Sequence, residues 1–158
     1  MTDIWAGLTA GVIAGAAGAT ALNAVTYLDQ TIQGDAATSS PASGAPAAAA
    51  SELTGVDATR AAGLGPLGGL AIGLGVGAVA GLTRGANATP PPLVAAVVTG
   101  VAAMLVGDGV AVATGTAESD WASPAKLLRN LVPHLAYGVV TGAALHRMLD
   151  PRTSIIHR

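Results

Sequence analysis

Long apolar stretches, separated by short polar ones, organise this chain. A helix needs about 20 predominantly apolar residues to cross a bilayer. Four stretches approach that length: Ile4 to about Leu28, about Ala62 to Thr83, about Leu93 to Gly115, and about Leu131 to Met148. The expected fold is all-α, a single membrane domain over 1–158 built as a four-span transmembrane helix bundle. Trp5 and Tyr27 frame the first stretch. At the rise of an α-helix they stand about 33 Å apart, close to the thickness of a hydrocarbon core, so both suit the headgroup zones. The fourth stretch has a short apolar run, and "DWASPAKLLRN" before it reads as an interfacial helix start. There Ser123 suits an N-cap, Pro124 the first helical position, and Trp121 an interface anchor.

The connections differ in character. Residues 29–61 are rich in Ala, Ser, Pro and Gly and carry several acids against the single Arg60, which predicts a flexible extramembrane loop with at most a short helix near Ser51. The link "RGANATPPP" is short and stiffened by prolines, so the second and third spans are expected to form an antiparallel pair. Ala19-Thr20-Ala21 offers a small-x-small cleavage pattern, but "MTDIW" lacks the basic start of a secretory signal and the apolar run is longer than one needs. The first stretch is therefore expected to stay as a span. Arg84, Arg147, Arg152 and Arg158 fall on one side of this arrangement, and Arg60, Lys126 and Arg129 on the other. That bias places both termini in the cytoplasm of a plasma-membrane protein, with the Ala/Ser loop outside.

Composition supports a bilayer as the solvent. Half the residues are apolar (51%), only 10% are charged, and the mean hydropathy is +0.58. Soluble domains carry roughly a quarter charged residues. Phe is absent and Trp and Tyr are scarce, so Ala, Gly, Val and Leu must do the packing, as in helix association within lipid. A net charge of −2 excludes the basic footprint that nucleic acid requires. The absence of cysteine excludes disulfides, thiolate metal sites and cysteine nucleophiles. No cofactor or metal is implied, and the expected partners are the lipid bilayer and either further copies of the chain or a larger membrane complex.

The stretch "GLGPLGGLAIGLGVGAVAGLTRG" admits two readings. Gly63-Leu64-Gly65-Pro66-Leu67-Gly68 fits a dinucleotide fingerprint, but that loop needs a preceding strand and an acid about 20 residues on. "SELTGVDATRAA" is no buried strand, and Arg84 with neutral neighbours stands where the acid belongs. The membrane reading accounts for more: Gly65, Gly69, Gly73, Gly77 and Gly81 recur at every fourth residue. Such a stripe drifts about 40° per step and, with Gly68 and Gly75, covers roughly 240° of the helix. A glycine-zipper helix at the centre of the bundle is expected, approached closely on most sides. Gly7, Gly11 and Gly15 offer a matching surface on the first span, and Ala103, Gly107, Ala111 and Gly115 on the third.

Asp108, in "VGDGV", is the one acid inside an expected span, and ionisable residues there are candidate functional groups. Counting helical rise places Asn23, His134 and Tyr137 in the same half of the bilayer. A polar cluster of Asp108, His134, Asn23 and Tyr137 follows, able to relay protons or hold a small polar ligand. His134 read alone is a side chain snorkelling to the headgroups. His146 is about 18 Å from His134 along the helix, so the two cannot share a metal. With no Ser-His-acid set or paired carboxylate in the sequence, an enzyme is not expected.

The phrases "TALNAVTYLD" and "LVPHLAYGVVTG" resemble small four-helix integral membrane proteins of actinobacteria, of uncharacterised function. The resemblance covers the outer spans better than the centre and implies a multi-pass plasma-membrane protein with no assigned catalytic residue. The run from Gly65 to Gly81, then Arg84 with Pro90, then Asp108, also resembles a rotary-ATPase proteolipid subunit. The chain departs from that pattern: it has no second acid-bearing hairpin, and its long Ala/Ser loop and Trp121-to-Lys126 segment have no counterpart there. The expectation is a non-enzymatic helix-packing scaffold or accessory subunit. The competing expectation is a small proton or solute carrier or channel using the Asp108 cluster.

Overall fold

A computed structural model describes residues 4–33, 51–86, 90–113 and 124–150. Four long helices account for nearly all of them: α1 Ile4–Gln33, α2 Ala58–Gly85, α3 Pro92–Ala113 and α4 Pro124–Leu149. No strand occurs among the described residues. Three helices are long and apolar enough to cross a membrane, within Ile4–Ile32, Pro66–Gly85 and Pro92–Val110. α4 is long enough but less apolar, because Lys126, Arg129 and Asn130 occupy its first turns and His146 and Arg147 its last.

Helix boundaries follow local chemistry. α4 begins at Pro124, where the missing proline N–H has no intrahelical partner to lose. From Pro124 on, the expected interfacial segment and the fourth stretch form one continuous helix running through Pro133. α1 continues past Leu28 to Gln33 and α2 begins at Ala58, so the connection expected over 29–61 is shorter at both ends. Within it, residues 51–54 form one helical turn. Gly55 closes that turn with φ of 69°, its N–H donating to the Ser51 carbonyl at 2.8 Å. Residues 34–50, Trp121, Ser123 and Gly115 lie outside the described residues.

The helices run up, down, up and down, and the close neighbours are α2 on α1, α1 on α4, and α4 on α3. α1 and α2 are antiparallel, with Gly7 opposite Gly81, Gly11 opposite Gly77 and Gly15 opposite Gly73. α1 and α4 are antiparallel too, as Ala14 faces Thr141 and Asp29 faces Arg129. α2 and α3, although antiparallel, touch only lightly. The inner positions therefore belong to α1 and α4, and α2 sits at an edge, not at the centre. The drift of its glycine stripe explains this. Only part of the stripe matches the α1 glycines in an antiparallel crossing, while nothing lies within 4 Å of the Cβ positions of Gly68, Gly69 and Gly75.

The core is small-residue and thin. Ala10 and Ala14 of α1 are fully buried against Leu145 of α4, with Ala80, Ala144, Met148 and Leu149 packed around them. Large apolar side chains point outward instead: Leu93, Val98, Leu128 and Val139 are all more than half exposed. In water this would be an unstable surface; against lipid tails it is the expected one. Trp5 and Tyr27 are likewise exposed, near opposite ends of α1.

Candidate functional site

Three arrangements carry the distinctive chemistry of the bundle: close backbone contacts, hydrogen bonds between helices, and an apolar groove.

Glycine and alanine set the helix separations. A Cβ on Gly7 would lie 2.6 Å from the Gly81 carbonyl, and one on Gly15 would lie 2.5 Å from that of Gly73. A Cβ on Gly77 would lie 2.5 Å from the Gly11 carbonyl. Real carbon contacts sit near 3.5–4.0 Å, so any larger residue would force α1 and α2 apart. Of the other α2 glycines named from sequence, Gly69 meets no neighbour, and nothing is described around Gly65. α3 meets α4 through residues that the sequence reading passed over, although Gly138 and Gly142 are four residues apart. Gly138 packs on the Ala96 carbonyl, and a Cβ on Gly100 would lie 2.5 Å from the His134 carbonyl. Gly107, expected on that surface, has nothing within 4 Å, although Ala103 is buried.

Polar side chains cross between helices at two depths. Deep in the bundle, the fully buried Tyr137 donates its hydroxyl to the Gly73 carbonyl at 2.6 Å, joining α4 to α2. One turn on, the buried Thr141 hydroxyl donates to the Ala14 carbonyl at 3.4 Å, joining α4 to α1. Gly18 makes room for both, since a Cβ there would strike the Thr141 hydroxyl and lie 2.7 Å from the Tyr137 ring.

Near the end of the bundle where α1 finishes and α4 starts, the Asn130 amide donates to both Asp108 carboxylate oxygens at 3.1 Å, joining α4 to α3. His134 Nδ1 lies 2.8 Å from the Asn130 carbonyl. A carbonyl only accepts, so this bond requires the proton on Nδ1. Arg129 Nε donates to Asp29 Oδ2 at 2.7 Å, an ion pair between α4 and α1 with both partners partly exposed.

The expected four-residue cluster is therefore divided. Asp108 and His134 share the neighbourhood of Asn130 without a hydrogen bond between them. Tyr137 reaches away, to α2. The antiparallel register sets Asn23 level with His134, but no hydrogen bond joins Asn23 to either Asp108 or His134. Asn130 is the residue the sequence reading missed. The available signal was its position four residues before His134, on the same face of α4.

The third arrangement is a groove of about 660 Å³ where α2 stands off from α3. Ile72, Val76 and Val79 form one wall, Val94 and Val98 the other, and Leu145 of α4 contributes to the lining between them. Arg84 and Pro90 close one end. Among the described residues, no group of three His, Cys, Asp or Glu side chains is placed to hold a metal ion. Compared with known protein families, curated proteins and solved structures, the chain matches none of them.

Proposed function

We infer that this protein is a multi-pass integral membrane protein of the plasma membrane, non-enzymatic, serving as a helix-packing scaffold or accessory subunit of a membrane assembly. One observation carries the reading: the interhelical side-chain hydrogen bonds described above join one helix to the next. Tyr137 ties α4 to α2, Thr141 ties it to α1, and Asn130 ties it to Asp108 of α3. These bonds do what polar groups do in helix association in lipid. α4 counts as a fourth span on this reading. Its buried residues run from Pro133 to Leu145 along the lengths of α1 and α3, so it crosses where they cross. Both termini then face the cytoplasm, which a reporter fused to the C-terminus checks.

The edge position of α2 supports assembly with further helices. Gly68 lies on its side away from α1 and outside the groove, open to close approach by a neighbouring backbone. The test is affinity purification of the tagged chain from native membrane, beside flux measurements in proteoliposomes. Co-purification with a larger complex, unchanged by Asp108→Asn, is the expected result. Proton or solute flux that disappears with Asp108→Asn would replace this reading with the carrier.

A further inference from the structure

The groove between α2 and α3 has a polarity that neither the helix contacts nor the hydrogen bonds explain. Along α2 it runs from Ile72 to Arg84, and along α3 from Val94 to Val106. Either distance is about 18 Å, close to the depth of one leaflet of a hydrocarbon core about 30 Å thick. Its walls are valine and isoleucine side chains open to the outside, Val79 and Val98 being 61% and 60% exposed. The volume of about 660 Å³ falls among pockets that hold small ligands.

Among the described residues that line the groove, Arg84 at one end is the one charged group. That end is the final turn of α2, at the limit of its apolar span, where headgroups begin. The N-terminus of α3 lies at the same end and favours an anion, while the C-terminus of α2 carries the opposite partial charge. The two dipoles roughly offset, so the full charge of Arg84 decides the sign.

We propose that this groove is a binding site for an anionic phospholipid, with an acyl chain between α2 and α3 and the phosphate on Arg84. A guanidinium presents paired donors that match phosphate oxygens, and it stays charged under all physiological conditions. The valine walls supply dispersion contact to a chain without demanding a specific shape. The lipid fills the space that keeps α2 and α3 apart, so it belongs to the fold as much as to the bilayer. The site is independent of any protein partner, and it stands or falls on the purified chain alone.

The experiment is native mass spectrometry of the purified full chain in micelles. Phosphatidylglycerol and phosphatidylcholine with matched chains are offered in equal amounts. The expected result is one retained lipid, with phosphatidylglycerol preferred about tenfold, because phosphatidylcholine offers the same phosphate but sets its choline cation against Arg84. Arg84→Gln should abolish the preference while a lipid is still held. Val98→Phe, narrowing the groove, should reduce retention of both lipids with far-UV circular dichroism unchanged. Val79→Phe on the opposite wall serves the same purpose if Val98→Phe does not fold. Equal retention of the two lipids by the unaltered chain overturns the proposal, and so does a preference that survives Arg84→Gln. Wild-type retention by the folded groove variants overturns it as well.

Discussion

Replacing Gly77 by alanine tests a close backbone contact between α1 and α2 with a single methyl group. The added Cβ would lie 2.5 Å from both the Gly11 carbonyl oxygen and the Gly15 Cα, and 2.8 Å from the Gly15 nitrogen. All three atoms are backbone, so no side-chain rotation relieves the clash. Restoring contact at about 3.5 Å requires α1 and α2 to separate by about 1 Å. A gap of that size forfeits a quarter to a half of each dispersion contact it opens. Overpacking of this kind costs about 1–3 kcal/mol. Alanine's better helix propensity offsets at most about 1 kcal/mol in water. It offsets less in hydrocarbon, where an unbonded backbone already enforces the helix. The net expectation is a loss of about 1–2 kcal/mol. Reversible unfolding in mixed micelles, followed by far-UV circular dichroism, measures it. Gly68→Ala and Gly107→Ala are the controls, because their Cβ positions meet nothing within 4 Å. Both should stay within about 0.5 kcal/mol of the parent. If Gly77→Ala unfolds with the parent, or Gly68→Ala costs as much, the α1–α2 register described here is wrong.

Two further predictions use the same unfolding assay. Tyr137→Phe keeps the buried ring but removes the bond to the Gly73 carbonyl, and should cost about 0.5–1.5 kcal/mol; no measurable change would mean that the hydroxyl does not join α4 to α2. A double-mutant cycle of Asp108→Asn with Asn130→Ala should show a coupling of at least about 0.5 kcal/mol. The cycle of Asp108→Asn with His134→Ala should give a smaller value, and the reverse order would restore the direct Asp–His pair expected from sequence.

Individual helices were legible because each answers to its own residues. The spans near 4–28, 62–83 and 93–115 stand out from the apolar lengths of α1, α2 and α3. Their ends were less legible. Asp29 ends the apolar run of the first span, yet α1 continues to Gln33, with Asp29 paired to Arg129 of α4. On α4, Asn130, His134, Tyr137 and Thr141 recur at three- and four-residue steps. That inward stripe is readable in hindsight, but the neighbour each residue reaches is not. Asn130 goes to α3, Tyr137 to α2 and Thr141 to α1.

The sequence by itself determined that the chain forms long helices, which of them are apolar enough for a bilayer, and where small residues permit close approach. Transfer into lipid and helix propensity act residue by residue, so they are written along the chain. Only the tertiary structure decided which small faces meet. α2 offers glycine around much of its circumference, yet α1 takes the face of Gly73, Gly77 and Gly81, while Gly68 and Gly75 stay open. Gly100 and Gly138 set the α3–α4 contact, and the four-residue step from Gly138 to Gly142 does not say which helix it meets. Between faces of nearly equal size and apolarity, the choice rests on small differences in packing across the whole bundle. Those differences exist only once the helices are assembled, and they leave beside Arg84 the groove that no single helix contains.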